Sequence, residues 1–165
     1  MLPMFTSMRD FDSWLASFRP SIADYKYYTD FNKVFNNVDA IKIPLNILNS
    51  LIGSKNIEED FKKILTQYPE TLNCIPILLA KREFDIMAMD EEGQIDFHFD
   101  KPNCTNEEYV KFMRKTGLFD LMENHIVNNL VDYVTGIETG LDSNGRKNRG
   151  GHLMENLVEG FLCKA

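Results

Sequence analysis

Arg146, Lys147 and Arg149 stand in a window, Ser143 to Met154, that contains no acidic residue. The chain as a whole is acidic, with 18 Lys and Arg against 25 Asp and Glu for a formal charge of −7. This window is therefore where a phosphate group is locally favoured. Gly145, Gly150 and Gly151 let the backbone approach an anion closely, and the amides that open the following helix present partial positive charge to it. A solvated basic loop carries the same charge pattern, so the composition alone leaves both readings open.

Glu155 and Glu159 follow directly, one helical turn apart and so on one face. Carboxylates beside a phosphate site can hold a hard cation such as Mg²⁺, which polarises phosphorus and lowers the pKa of an attacking water. That is phosphodiesterase chemistry. Glutamates in the first turns of a helix are also favoured by its dipole without any metal. Two carboxylates from one helix are not enough for a metal nuclease, which needs further acids and usually a lysine. Asp24-Tyr25-Lys26 and Asp60-Phe61-Lys62 have an acid-x-Lys spacing, but the second falls in a helix, where positions two apart diverge. The first lacks a partner acid on an earlier strand, and both are read as chance. His125 is expected to be packed or hydrogen-bonded in the core, and His98 to decorate a polar hairpin face.

The elements that must position these groups are mostly helical. Phe11, Trp14, Leu15 and Phe18 mark an amphipathic helix over Arg9 to Phe18, ended by Pro20. Pro44 suits the first turn of a helix through Leu51, with Gly53 as its stop. Asn56 and Glu59 resemble a capping pair before Ile57, Phe61, Ile64 and Leu65, and Pro69 closes that helix. Pro76 implies that a helix in the apolar run Leu72 to Leu79 is kinked or begins late. Alternation at Phe84, Ile86 and Ala88, and again at Ile95, Phe97 and Phe99, reads as a β-hairpin near 84–99 turning at Glu91-Glu92-Gly93. Thr105 and Glu108 form a capping box for a helix that Gly117 ends. Leu118 to Val134 has so broad an apolar face that one central helix is expected. From Ile137 to Gly151 the sequence reads as a polar, Gly-rich loop with a turn at Asn144-Gly145. A last helix, His152 to Cys163, follows and stops at Lys164-Ala165 without a cap.

The fold class expected is mainly α with a small β-hairpin. The expected organisation is a helical region over 1–136, then a basic loop and the opening helix of a second region over 137–165. At 165 residues, 44% of them hydrophobic and 26% charged, wholesale disorder is excluded and one compact core is expected. No apolar run is long enough to cross a bilayer and no signal-peptide pattern opens the chain, so a cytoplasmic protein without membrane contact is expected. Cys74, Cys104 and Cys163 are odd in number and far apart, which argues against a disulfide framework or a zinc site.

The run Asn129-Leu130-Val131-Asp132-Tyr133-Val134-Thr135-Gly136, with Gly140 to Arg149 and Met154-Glu155-Asn156, resembles the DpnII/MboI type of type II restriction endonuclease. Tyr27-Tyr28-Thr29-Asp30-Phe31 and Leu48 to Ile57 are similar to the same family, so the likeness covers nearly the whole chain. It implies Mg²⁺-dependent cleavage of double-stranded DNA at GATC within a restriction-modification system. It also implies a PD-(D/E)XK nuclease core of α/β type and a homodimer on a palindrome. Under it Glu155 is expected to organise metal or water, with Glu159 second, and Asn144, Arg146, Lys147, Asn148 and Arg149 to contact DNA. The strand-borne acids of such a core are missing, so the chain is expected to be an N-terminal portion, inactive alone. The competing reading is a non-catalytic DNA-binding or subunit-interaction module using the same loop.

Overall fold

The computed structural model describes residues 8–17, 28–125 and 128–145. The chain divides into two compact units, Met1–Asp30 with Asp142–Ala165, and Phe31–Leu141. In the smaller unit, α1 (Met8–Ser17) coincides with the helix expected from the aromatic spacing. The rings of Phe11 and Trp14 lie 5.8 Å apart on it.

The larger unit begins with α2 (Phe31–Ala40), which buries Val34 and Val38. Next comes α3 (Lys42–Leu48), burying Leu45 and Leu48 and tightening into a 3₁₀ turn over Asn49–Leu51. Gly53 stops this segment at φ +73°, a backbone conformation open to glycine without strain. Helix α4 (Ile57–Gln67) buries Ile57, Phe61, Ile64 and Leu65, the face its spacing predicts. The capping pair expected of Asn56 and Glu59 does not form. Ser54 takes that place, donating to Asp60 at 2.6 Å and accepting the Asn56 N–H at 3.1 Å, while Glu59 pairs with Lys62. Pro69–Cys74 is 3₁₀ and α5 (Ile75–Leu78) starts only there, with Pro76 in its first turn, where a missing N–H costs nothing.

Strands β1 (Asp85–Asp90) and β2 (Gly93–His98) pair antiparallel, with Ile86 opposite Phe97 and Ala88 opposite Ile95. The hairpin is therefore where alternation placed it. Helix α6 (Asn106–Lys115) carries the full capping box of Thr105 and Glu108. Its Phe112 meets Phe97 at 4.8 Å and Phe99 at 5.1 Å, and its Tyr109 meets Phe99 at 5.5 Å. Burial of each such ring contributes about 1.5–3 kcal/mol, so these contacts are what hold a two-stranded sheet that is marginal alone. At the hairpin tip, Lys115 and Lys111 close on Asp90, at 2.5 and 3.2 Å, and Lys111 also meets Glu92. Hydrogen bonding from Lys115, with the Glu92 amide and Lys111 adding to it, holds the Asp90 carboxyl well below the usual carboxylate range.

Helix α7 (Leu118–Asp120) runs into a wide turn over Leu121–His125. The single helix expected from Leu118 to Val134 is two: after a bend at residues 128–129, α8 occupies 130–145. The apolar face is broad because two elements supply it, Leu118, Phe119 and Met122 from the first, Leu130 and Val134 from the second. His125 is exposed on Asp120 at 3.2 Å rather than packed in the core. The Gly-rich loop expected from Ile137 is helical as far as residue 145. Cys74 is buried, which pushes its thiol up to about 12, and Cys104 is partly exposed; both are free. No helix among the described residues is long and apolar enough to cross a membrane.

His98 closes the open end of the hairpin against Asp85 at 2.5 Å, and that hydrogen bond, aided by the charges of Asp85, Asp100 and Asp96, raises its pKa. A raised folded-state value makes the pair stabilising below the ordinary histidine value, and the contribution is lost as pH climbs through the raised one. Asp85→Asn is expected to lower the His98 titration midpoint, followed by NMR, and to flatten the fall in melting temperature between about pH 6 and 8. An unmoved midpoint would mean that the pair does not form in solution.

Candidate nucleic-acid interface

The segment that leads to the basic cluster is α8, and its periodicity carries two carboxylates inward. Leu130, Val134, Glu138 and Asp142 recur every four residues, and each is at most 5% exposed. The opposite positions Gly136, Gly140 and Asn144 are exposed. Two glycines in a helix interior cost about 1 kcal/mol each relative to alanine. The helix persists because burial of its other face outweighs that local preference, which is why glycine content misreads 137–145 as a loop.

Its start is capped twice. Asn129 Oδ1 accepts the Val131 N–H at 2.7 Å, and Asn49, from the turn after α3, accepts the Leu130 N–H at 2.7 Å. Asn49 also donates to Asn129 at 3.2 Å, so two side chains satisfy amides that open the helix without intrahelical partners. Further along, Glu138 accepts from Arg82 at 2.7 Å and from Asn37 at 3.1 Å. In the smaller unit, Asp142 accepts the Asp30 N–H at 2.8 Å, and the hydroxyls of Thr29 and Ser143 share a hydrogen bond at 2.8 Å. Tyr133 donates to the Leu78 carbonyl at 3.1 Å.

Of the residues expected to act on DNA or metal, Asn144 alone is described. It is exposed and helical, not part of a turn. Arg146, Lys147, Asn148, Arg149, Glu155 and Glu159 lie outside the described residues, as do Asp24, Lys26 and Cys163. Among the described residues no group of three or more His, Cys, Asp or Glu side chains could hold a metal ion, so those side chains do not fit such a centre. Asp60 and Lys62 of the acid-x-Lys spacing go separate ways, Asp60 to Ser54 and Lys63, Lys62 to Glu59 and Glu107. Glu138 with its partner Arg82, and Asp142, which accepts the Asp30 N–H, are not among the residues the sequence singled out. Their signal was present: both acids continue the four-residue spacing of Leu130 and Val134, which a loop has no reason to keep.

Comparison with known proteins covers nearly all of the described region. The family model described as DpnII restriction endonuclease matches residues 10–165. The chain is 54% identical over 155 residues to "Type II restriction enzyme DpnII" of Streptococcus pneumoniae, covering 93% of this chain and 54% of that protein. It is 42% identical over 163 residues to "Type II restriction enzyme MjaIII" of Methanocaldococcus jannaschii, covering 94% and 56%. To "Type II restriction enzyme MboI" of Moraxella bovis it is 37% identical over 153 residues, covering 90% and 53%. The chain thus spans about half the length of the curated relatives it matches. No solved structure matches.

Asn49→Ala removes the acceptor from the Leu130 amide and is expected to cost about 1–3 kcal/mol in chemical denaturation. Combined with Asn129→Ala, the loss should fall short of the sum, since the two amides share one network. Strict additivity would show that the caps act independently.

Proposed function

Because the chain belongs to the DpnII restriction endonuclease family, we propose that it serves a type II enzyme that hydrolyses phosphodiester bonds of double-stranded DNA at GATC sites within a restriction-modification system. The observation that carries this reading is the family match across residues 10–165, which includes the basic segment and Glu155. In this proposal Arg146, Lys147 and Arg149, with Asn144 and Asn148, meet the phosphate backbone, where cations displace condensed counterions. Glu155, seconded by Glu159, organises a Mg²⁺ ion that supplies charge stabilisation at phosphorus. The 165 residues alone, about half the length of the relatives, are expected to be inactive. A homodimer matches the two-fold symmetry of the palindrome, and a cytoplasmic location accords with the substrate.

The central test is a cleavage assay on an unmethylated GATC duplex, using a protein of the relatives' full length. Cleavage is expected with Mg²⁺ and not with EDTA, and Glu155→Ala is expected to abolish it. No cleavage with Mg²⁺ would end the assignment, and cutting that ignores both Mg²⁺ and Glu155 would remove that residue and the metal from it. Independently, Arg146→Ala and Arg149→Ala should each weaken duplex binding and lower the salt dependence by about one phosphate contact. Unchanged slopes in a binding titration would remove these residues from the interface.

A further inference from the structure

A cleft of about 280 Å³ opens in the larger unit, with Glu138 among the residues that line it. Glu138 is 5% exposed, and both of its hydrogen bonds, from Arg82 and from Asn37, fall on Oε2. Among the described residues nothing donates to Oε1. Oε1 is therefore the oxygen of this carboxylate that remains open to a donor from outside the described residues. The other polar groups at the cleft are similarly open. The half-buried Asn73 amide and the exposed Lys81 ammonium make no side-chain hydrogen bond or ion pair among the described residues, while Ile41, Ile77 and the 44%-exposed Phe84 supply apolar walls.

The turn that carries the cations is itself strained. Ala80, immediately before Lys81 and Arg82, has φ +57°, which no other described non-glycine residue shares as a positive value. It is held there because the Ala80 and Lys81 amides donate back to Ile77 at 2.9 Å and to Pro76 at 3.0 Å. Those two bonds are the left-handed C-terminal cap of α5, and the cap sets where Lys81 and Arg82 leave the helix.

We propose that this cleft binds a nucleotide whose base carries an exocyclic amino group. The amine donates to Glu138 Oε1, the Asn73 amide meets the ring edge, the ring lies against Phe84, and the 5′-phosphate meets Lys81. A carboxylate accepting from a base amine and an amide reading a base edge are the pairings such chemistry favours, and an aromatic wall adds stacking. The base comes either from a free nucleotide or from DNA by extrusion, which exposes an edge that the duplex hides. The proposal rests on the DNA reading above only for the second source.

The test titrates the chain with dAMP and with purine 2′-deoxyriboside 5′-monophosphate, which lacks the amine, following the Asn73 and Arg82 side-chain NMR signals. Saturable shifts with dAMP are expected, with binding at least tenfold weaker for the purine analogue. E138Q keeps an oxygen for Arg82 and Asn37 but turns an NH₂ group into the cleft, and should weaken dAMP at least tenfold; if it fails to fold, Asn73→Ala takes its place. A second arm uses a duplex with 2-aminopurine in the GATC site. A fluorescence rise that the variant abolishes supports an extruded base, and a response to dAMP alone supports a free nucleotide. Equal binding of the two monophosphates, or no response in either arm that the folded variant alters, overturns the proposal. Because neither arm measures cleavage, the nuclease assignment stands or falls separately.

Discussion

The larger unit depends on how it accommodates a carboxylate that helical register forces inward. Once Leu130 and Val134 face the core, Glu138 must follow them one turn later. A buried charge without a partner costs several kcal/mol, so the helix is viable only if a cation reaches it. Arg82 provides that charge from the turn before the hairpin, and Asn37 provides a second donor from α2. One side chain thereby ties three separate stretches of the unit together. Apolar contacts tolerate sliding in a way that a guanidinium meeting a carboxylate at 2.7 Å does not, so this is also where the register of α8 is set.

The hairpin shows the opposite division of labour. Its inner face is held by rings, Phe97 and Phe99 against Tyr109 and Phe112, and Tyr109 adds a hydrogen bond from its hydroxyl to the His98 carbonyl at 2.5 Å. Its open end is held by the exposed His98–Asp85 pair, and its tip by ions around the partly buried Asp90 and Lys111. Exposed pairs contribute little individually and are screened by salt, so the one at the open end tunes the hairpin rather than creates it. The strong carboxylate shift at Asp90 reflects two lysines one turn apart on α6, a spacing that only a helix brings to one point.

For function, the helix over 130–145 leads directly into the basic segment in sequence. Family membership extends over the basic segment and Glu155 as well. The two capping asparagines and the Glu138 pair fix the helix that immediately precedes those residues. Glu138 and Arg82 also line a cleft together with Asn73, Lys81 and Phe84.

Local patterns were legible where one element decides its own form. The capping box at Thr105, the alternation of the hairpin, the late start forced by Pro76 and the stops at Gly53 and Gly117 depend on neighbours within a few residues, so the amino-acid order specifies them. The family likeness was legible for a related reason, since long strings such as Asn129 to Gly136 are specific in themselves. What remained hidden was settled by contacts between residues far apart in the chain. Asn129 divides one apolar stretch into two helices with help from Asn49, 80 residues away. Glycines at 136 and 140 sit in a helix because the opposite face is buried, and Glu138 is a core residue because Arg82, 56 residues distant, makes it one. Helix propensities act over a turn and differ by about 1 kcal/mol, whereas burial and charge pairing act wherever the fold brings groups together, and here they are larger.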